Sequence, residues 1–221
     1  MSNEMTSQNQ ITEGGILRPL LAFFFPILLG TFFQQLYNTV DAIIVGNYVG
    51  TAALGAVGGS TAIIINFLVN LFVGISSGAT VVIAQHYGAQ QGEDVYESVH
   101  TAVALALAAG GVITIAGILL SGPALRLMDT PEDVMDYAVV YLRVYFCGTV
   151  ASFVYNMGAS ILRAVGDTKH PLYFLMAACL TNIVLDLFFV AVLGLGVFGA
   201  ALATVISQVV SAVLVAISLL R

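Results

Sequence analysis

The sequence predicts an all-α, polytopic membrane protein: a lobe of six transmembrane helices. Hydrophobic residues fill 59% of the 221 positions, charged residues fill only 8%, and the apolar stretches are long and separated by short polar punctuation. A soluble domain carries roughly 45–50% apolar and about 25% charged residues, so water is not the main solvent of this chain. A spanning helix takes ~20 mostly apolar residues, which leaves room for roughly six with short loops. The net charge of −6 offers no basic patch for nucleic acid. Cys147 and Cys179 lie inside apolar runs, where small buried thiols are expected rather than a disulfide or a metal site.

Residues 1–16 form a polar, slightly acidic tail rich in Asn, Gln, Ser and Thr. It lacks the basic start, apolar core and small-residue cleavage site of a signal peptide, and a cytoplasmic tail ahead of a membrane unit at 17–221 is expected. Span one runs from about Pro19 to Val45 behind Arg18, whose charge suits the headgroup level, and Pro26 inside it invites a kink. Span two, about Ala52 to Ala84, is overlong for one straight crossing and is expected to tilt or protrude. The acidic, Gly-containing stretch Gln85 to Ser98 reads as an aqueous loop, followed by span three from Val99 to Leu120.

Ser121 to Asp133 reads as the next loop, with Thr130, Pro131, Glu132 and Asp133 as a helix start for span four, Val134 to Leu162. Asp136 and Arg143 in its first turns suit an interface or another helix. Arg163 to Pro171 is a short charged loop that leads into span five, ending near Leu193. Gly194 to Gly196 makes a tight turn into span six, Val197 to Leu220. Because cytoplasmic loops carry the Lys and Arg excess, Arg18, Arg163, Lys169 and Arg221 place both ends of the segment inside.

Two acids sit where lipid should be: Asp41 near the end of span one and Asp186 within span five. A carboxylate at the centre of a membrane helix costs ~2.5–3.5 kcal/mol on insertion scales, which makes it a functional candidate by default. Gln34, Asn38 and Asp41 follow at intervals of four and three, so they share one stripe of span one with Tyr37 beside it. Asn182 and Asp186 are four apart on span five, and Thr204 and Gln208 repeat that interval on span six. At 1.5 Å rise per residue, Asp41, Asp186 and Thr204 all lie roughly 10 Å from the outer ends of their helices. Three spans thus bring oxygen ligands to one level, the donor type a hard cation takes, and the same carboxylates can accept a proton. Sodium and proton are both compatible with this set. His86, His100 and His170 fall in or beside the loops, where solvated or interfacial roles are expected. No nucleophile with a base, no phosphate loop and no metal-ligand cluster stands out, so an enzyme is not expected and neither is a cofactor beyond the coupling ion.

The segments LYNTVDAIIVGNYVGTAALGAVG, AQHYGAQQGED, ILRAVGDTKHP and TNIVLDLFFVAVLGLGVFGAALATVISQ resemble successive amino-half motifs of the MATE (multidrug and toxic compound extrusion) transporters. The resemblance runs from about Gly15 to the end, and the Asn and Asp of span five resemble the prokaryotic branch often called DinF-like. It implies that Asp41, Asn182, Asp186 and Thr204 match the family's cation-binding cluster. It further implies that Gln34, Tyr37 and Asn156 line the substrate cavity, with Asn38 on the same stripe. The family exchanges inward-moving sodium or protons for outward-moving amphipathic, often cationic, drugs and metabolites. Its members resemble two six-helix lobes around a central cleft, and Arg221 falls where the connection to a second, carboxy-terminal lobe is expected. That lobe belongs either to a longer chain or to a second subunit. The expected surroundings are membrane lipid and a small amphipathic substrate. Two other readings of the polar stripes are a lipid-linked precursor flippase of the same superfamily and a structural membrane protein without transport. The first needs basic residues inside the spans, where only Arg143 stands.

Overall fold

The computed structural model describes residues 17–220, with backbone alone at 17–20 and 22. The polar tail at 1–16, the headgroup placement of Arg18, and Arg221 lie outside the described residues. Eight α-helices and no strand occur among the described residues: α1 (Leu17–Tyr48), α2 (Thr51–Gly58), α3 (Ser60–Gly88), α4 (Gly92–Leu127), α5 (Glu132–Cys147), α6 (Thr149–Ala164), α7 (Lys169–Asp186) and α8 (Gly196–Leu219). A π-helical turn, Leu187–Val192, continues α7.

Among the described residues, four helical stretches are long and apolar enough to cross a membrane, Thr51–Gly88, Gly92–Leu127, Lys169–Val192 and Gly196–Leu219, and the bent pair α5–α6 makes a fifth. α1, at 32 residues, adds a sixth by length, since ~1.5 Å per residue carries it past a hydrocarbon core about 30 Å thick. The exposed side chains fit that solvent: Leu105, Leu107, Val112, Ile115, Leu119 and Leu120 all project outward from α4. Such a face would aggregate in water and costs nothing against lipid.

α8 is the helix around which the others pack, touching α5, α6, α7 and the end of α1. Its small residues Gly199, Ala200, Ala201 and Ala203 are buried and allow that close approach. Two apolar clusters result. The larger joins α3, α4, α5 and α6, with Phe72 stacked on Phe153 at 4.3 Å between ring centroids. The smaller gathers Ile44, Val45, Ala53, Val190, Val197, Ala200 and Ala201 beside Tyr141.

Five expectations are refined or corrected. Span two stays one crossing stretch, but its helix is interrupted at Gly59, whose hypothetical Cβ would stand 2.6 Å from the Gly55 carbonyl oxygen, so only glycine fits the corner. Gln85 to Ser98 is helical except at residues 89–91, because Glu93 and Asp94 occupy the first turn of α4, where the helix dipole favours acids. The helix α4 likewise runs through Pro123 to Leu127, leaving a loop only at residues 128–131. Span four is bent by 50° at Gly148. Cys147 is exposed while Cys179 is buried; an apolar run in a membrane helix does not tell a lipid-facing position from a packed one. The turn before α8 is as expected, with Gly194 at φ 66° and Gly196 at φ 58°, a left-handed conformation that glycine adopts without steric cost.

α4 is seated on the α5–α6 bend through glycine. A Cβ on Gly110 would stand 3.1 Å from the Val150 Cα, and one on Gly117 would run into the Phe146 ring. Gly117→Val is therefore expected to cost about 1–3 kcal/mol through overpacking, read as a lowered Tm of the purified protein in detergent. An unchanged Tm would show that this contact is not a tight one.

Candidate cation site

Asp41, Asn182, Asp186 and Thr204 are brought into the interior from three different helices, with exposures of 4%, 1%, 0% and 3%. Asp41 comes from the carboxy-terminal half of α1. Asn182 and Asp186 share one face of α7 because they are one turn apart, and Asp186 is the last residue before the helix changes to π-helical spacing. Thr204 lies on the small-residue face of α8, which lets its side chain reach α7. The Asn182 amide donates from Nδ2 to Thr204 Oγ1 at 3.5 Å, and Thr204 Oγ1 donates to the Ala200 carbonyl at 3.1 Å. With its amide directed at Thr204, Asn182 presents its carbonyl oxygen elsewhere.

What remains is a set of acceptors. Asp41 Oδ1, Asn182 Oδ1 and both carboxylate oxygens of Asp186 are buried and meet no hydrogen-bond donor among the described residues. Asp41 Oδ2 faces the Tyr141 hydroxyl, which donates to it at 3.5 Å. Nearly all buried polar atoms in proteins are paired, so four unpartnered oxygens in one region mark a site that a positive species would satisfy. Asp41 and Asp186 lie within Coulombic range of each other, and Tyr37 and Tyr141 lie within range of both. Neither aspartate forms an ion pair with a basic side chain among the described residues. No cluster of three or more His, Cys, Asp or Glu with metal-holding geometry occurs there either. Two carboxylates with amide and hydroxyl oxygens form an all-oxygen environment, which suits a hard cation or protons rather than a soft transition metal.

The residues expected to line a substrate cavity are only partly gathered. Gln34 and Tyr37 are half-buried and Asn38 is exposed on the same helix, α1. Asn38 donates to Gln35 Oε1 at 3.4 Å. Asn156 is half-buried on α6 and donates back to the Ser152 carbonyl at 2.8 Å; α6 packs chiefly on α3, α4 and α8. Tyr37 stands apart from the other three, because its Coulombic neighbours are those of the cation site.

Sequence reasoning missed Tyr141 and Tyr145. Both are buried, at 5% and 4% exposure, and both face the polar interior from α5. Their four-residue interval, which puts both on one face of α5, was the available signal. The π-helical turn after Asp186 had no signal in the run LFFVAV, since that composition serves an α-helix equally well.

The family model MatE matches residues 26–188 of this chain. The chain is 34% identical over 197 residues to the probable multidrug resistance protein YpnP of Bacillus subtilis, covering 89% of this chain and 44% of the relative. It is 30% identical over 184 residues to the DNA damage-inducible protein F of Escherichia coli, covering 83% of this chain and 40% of the relative. Among solved structures, an outward-facing conformation of a multidrug resistance MATE family transporter superposes with a TM-score of 0.85 at 31% identity, over 91% of this chain and 44% of that one. The chain thus spans about half the length of the relatives it matches, as a single lobe of a two-lobed transporter does. With the family model covering most of its length and its helices arranged as in that transporter, this chain is a member of the MATE family of membrane transporters.

Proposed function

We propose that this chain supplies the amino-terminal, cation-binding lobe of a secondary efflux transporter, which exports amphipathic or cationic drugs or metabolites in exchange for sodium or protons. The observation that carries the reading is the buried acceptor set on Asp41, Asn182 and Asp186, four oxygens from two helices with no donor among the described residues. Ion or proton occupancy of that set changes the balance between packings of the bundle, because an unneutralised pair of buried acids is costly and a neutralised one is not. Differential cation affinity between two packings couples the cation flux to that of the substrate. Gln34, Tyr37, Asn38 and Asn156 would contact the substrate as it crosses. A second, carboxy-terminal lobe completes the cleft, from the same longer chain or from a partner subunit, and both ends of the present segment face the cytoplasm. The multidrug resistance names of the relatives support export as the direction.

In vesicles holding the transporter with both lobes, an imposed sodium or pH gradient should drive export of a fluorescent cationic dye, and Asp186→Asn should remove that gradient dependence. Gradient-driven export that persists unchanged in Asp186→Asn would reject antiport through this site and leave the polar residues a purely structural role.

Stability gives an independent reading. Because Asp186 is buried without a partner, Asp186→Leu should fold at least as stably as the parent in the absence of coupling cation. The parent should gain Tm on addition of that cation, by about 2.7 kcal/mol of stabilisation at one hundred times Kd, and Asp186→Leu should gain none. A cation-dependent rise in Tm that survives in Asp186→Leu would place the binding elsewhere.

A further inference from the structure

The polar interior continues past Thr204. One turn further along α8, Gln208 is half-buried, and its Oε1 is enclosed without an aligned donor. It abuts the bend between α5 and α6: a Cβ on Gly148 would stand 2.5 Å from Gln208 Oε1 and 3.0 Å from Val205 Cγ2. The Tyr145 side chain lies beside the same amide. On the other side of the bend stand the α4 glycines, with Gly117 against the Phe146 ring and Gly110 against Val150. The 50° bend is therefore wedged between α4 and α8. Interiors packed this closely transmit displacement rather than absorbing it.

The side chains at the bend lie in register with the cation site. Tyr141 and Tyr145 on α5 and Gly148 just past its end follow at intervals of four and three and continue one stripe. The two tyrosine rings lie near-parallel, 6.5 Å apart between centroids. At one end of the stripe the Tyr141 hydroxyl stands 3.5 Å from Asp41 Oδ2; at the other, Gln208 presses on Gly148.

We infer that Gln208 is a positioning residue for the cation site: it fixes the Tyr145–Gly148 end of the α5 stripe, and so sets how closely the Tyr141 hydroxyl approaches Asp41. This rests on the antiport reading and extends it to a residue that touches no ligand. The hydroxyl and a bound cation draw on the same carboxylate, so the Tyr141–Asp41 distance governs how much of that charge a cation can use. The titratable groups around Asp41 are Tyr37 on α1, Tyr141 on α5 and Asp186 on α7, with Tyr145 and Cys179 beyond them next to Tyr37. α8 contributes Thr204, Ser207 and Gln208, which do not titrate.

The test is direct cation binding to the transporter with both lobes in nanodiscs: radioactive sodium titrated at fixed pH, and proton uptake followed by a pH dye without sodium. Gln208→Ala should shift the half-saturation of the cation that binds by on the order of 10-fold, the range seen when residues behind a ligand are changed. Gly148→Ala should produce the same shift, because its Cβ displaces the amide, and should add little in a Gln208→Ala background. Tyr145→Phe, which removes one hydroxyl and keeps the ring, should move half-saturation in the same direction and serves where Gln208→Ala does not fold. Asp186→Asn should abolish binding. Unchanged half-saturation in Gln208→Ala or Tyr145→Phe, with binding abolished in Asp186→Asn, would overturn the role of Gln208 and leave the cation site standing. Binding that is unchanged in Asp186→Asn would overturn both.

Discussion

Two carboxylates enclosed by apolar helices, with oxygens that the protein does not satisfy, are the constraint to which the rest of this lobe is fitted. Each acid costs ~2.5–3.5 kcal/mol to place at the centre of a spanning helix, and each unpartnered acceptor adds a desolvation penalty of about 1–3 kcal/mol. The offset comes from packing elsewhere. Phe72 on Phe153 and the wholly buried Leu125, Leu142 and Met157 hold α3 to α6 as one block. Ala200, Ala201 and Ala203 bring α8 close enough for Thr204 to meet Asn182.

The positions of the irregular backbone follow the polar interior. α7 changes to π-helical spacing immediately after Asp186, a distortion that recurs at functional sites in other proteins. α5 and α6 bend at Gly148, where Gln208 approaches. α1 carries Pro26 inside its length, a residue that frees a backbone carbonyl and weakens the helix locally. Three of the helices around the aspartates thus have a point at which geometry can change without unfolding a turn. On the antiport reading these are the places where occupancy of the site becomes a change of shape.

Much of this was legible in the residues. The apolar excess fixes the membrane class, and an acid in a run such as Ile183, Val184, Leu185, Asp186, Leu187, Phe188 stands out because nothing nearby explains it. The four-residue interval put Asn182 with Asp186 correctly, since helix periodicity is strict. The loops were less legible: Glu93 and Asp94 read as solvent-exposed coil, whereas acids at a helix start stabilise it, so composition alone gave the wrong state. The breaks at Gly59 and Gly148 were not legible at all. Glycine recurs all along the chain, and only the close approach of Gly55 or Gln208 singles these two out. Tyr141 and Tyr145 were hidden for a related reason, because a tyrosine in a membrane helix more often marks the interface than the interior.

Infrared difference spectroscopy of the transporter in membranes tests the central claim most directly, since it observes carboxyl groups themselves. Adding the coupling cation, sodium or protons, should change the carboxyl bands, and Asp41→Asn with Asp186→Asn should remove that change. A carboxyl signal that persists in the double variant, or none at all while the cation still binds, would show that these two buried acids do not hold the ion.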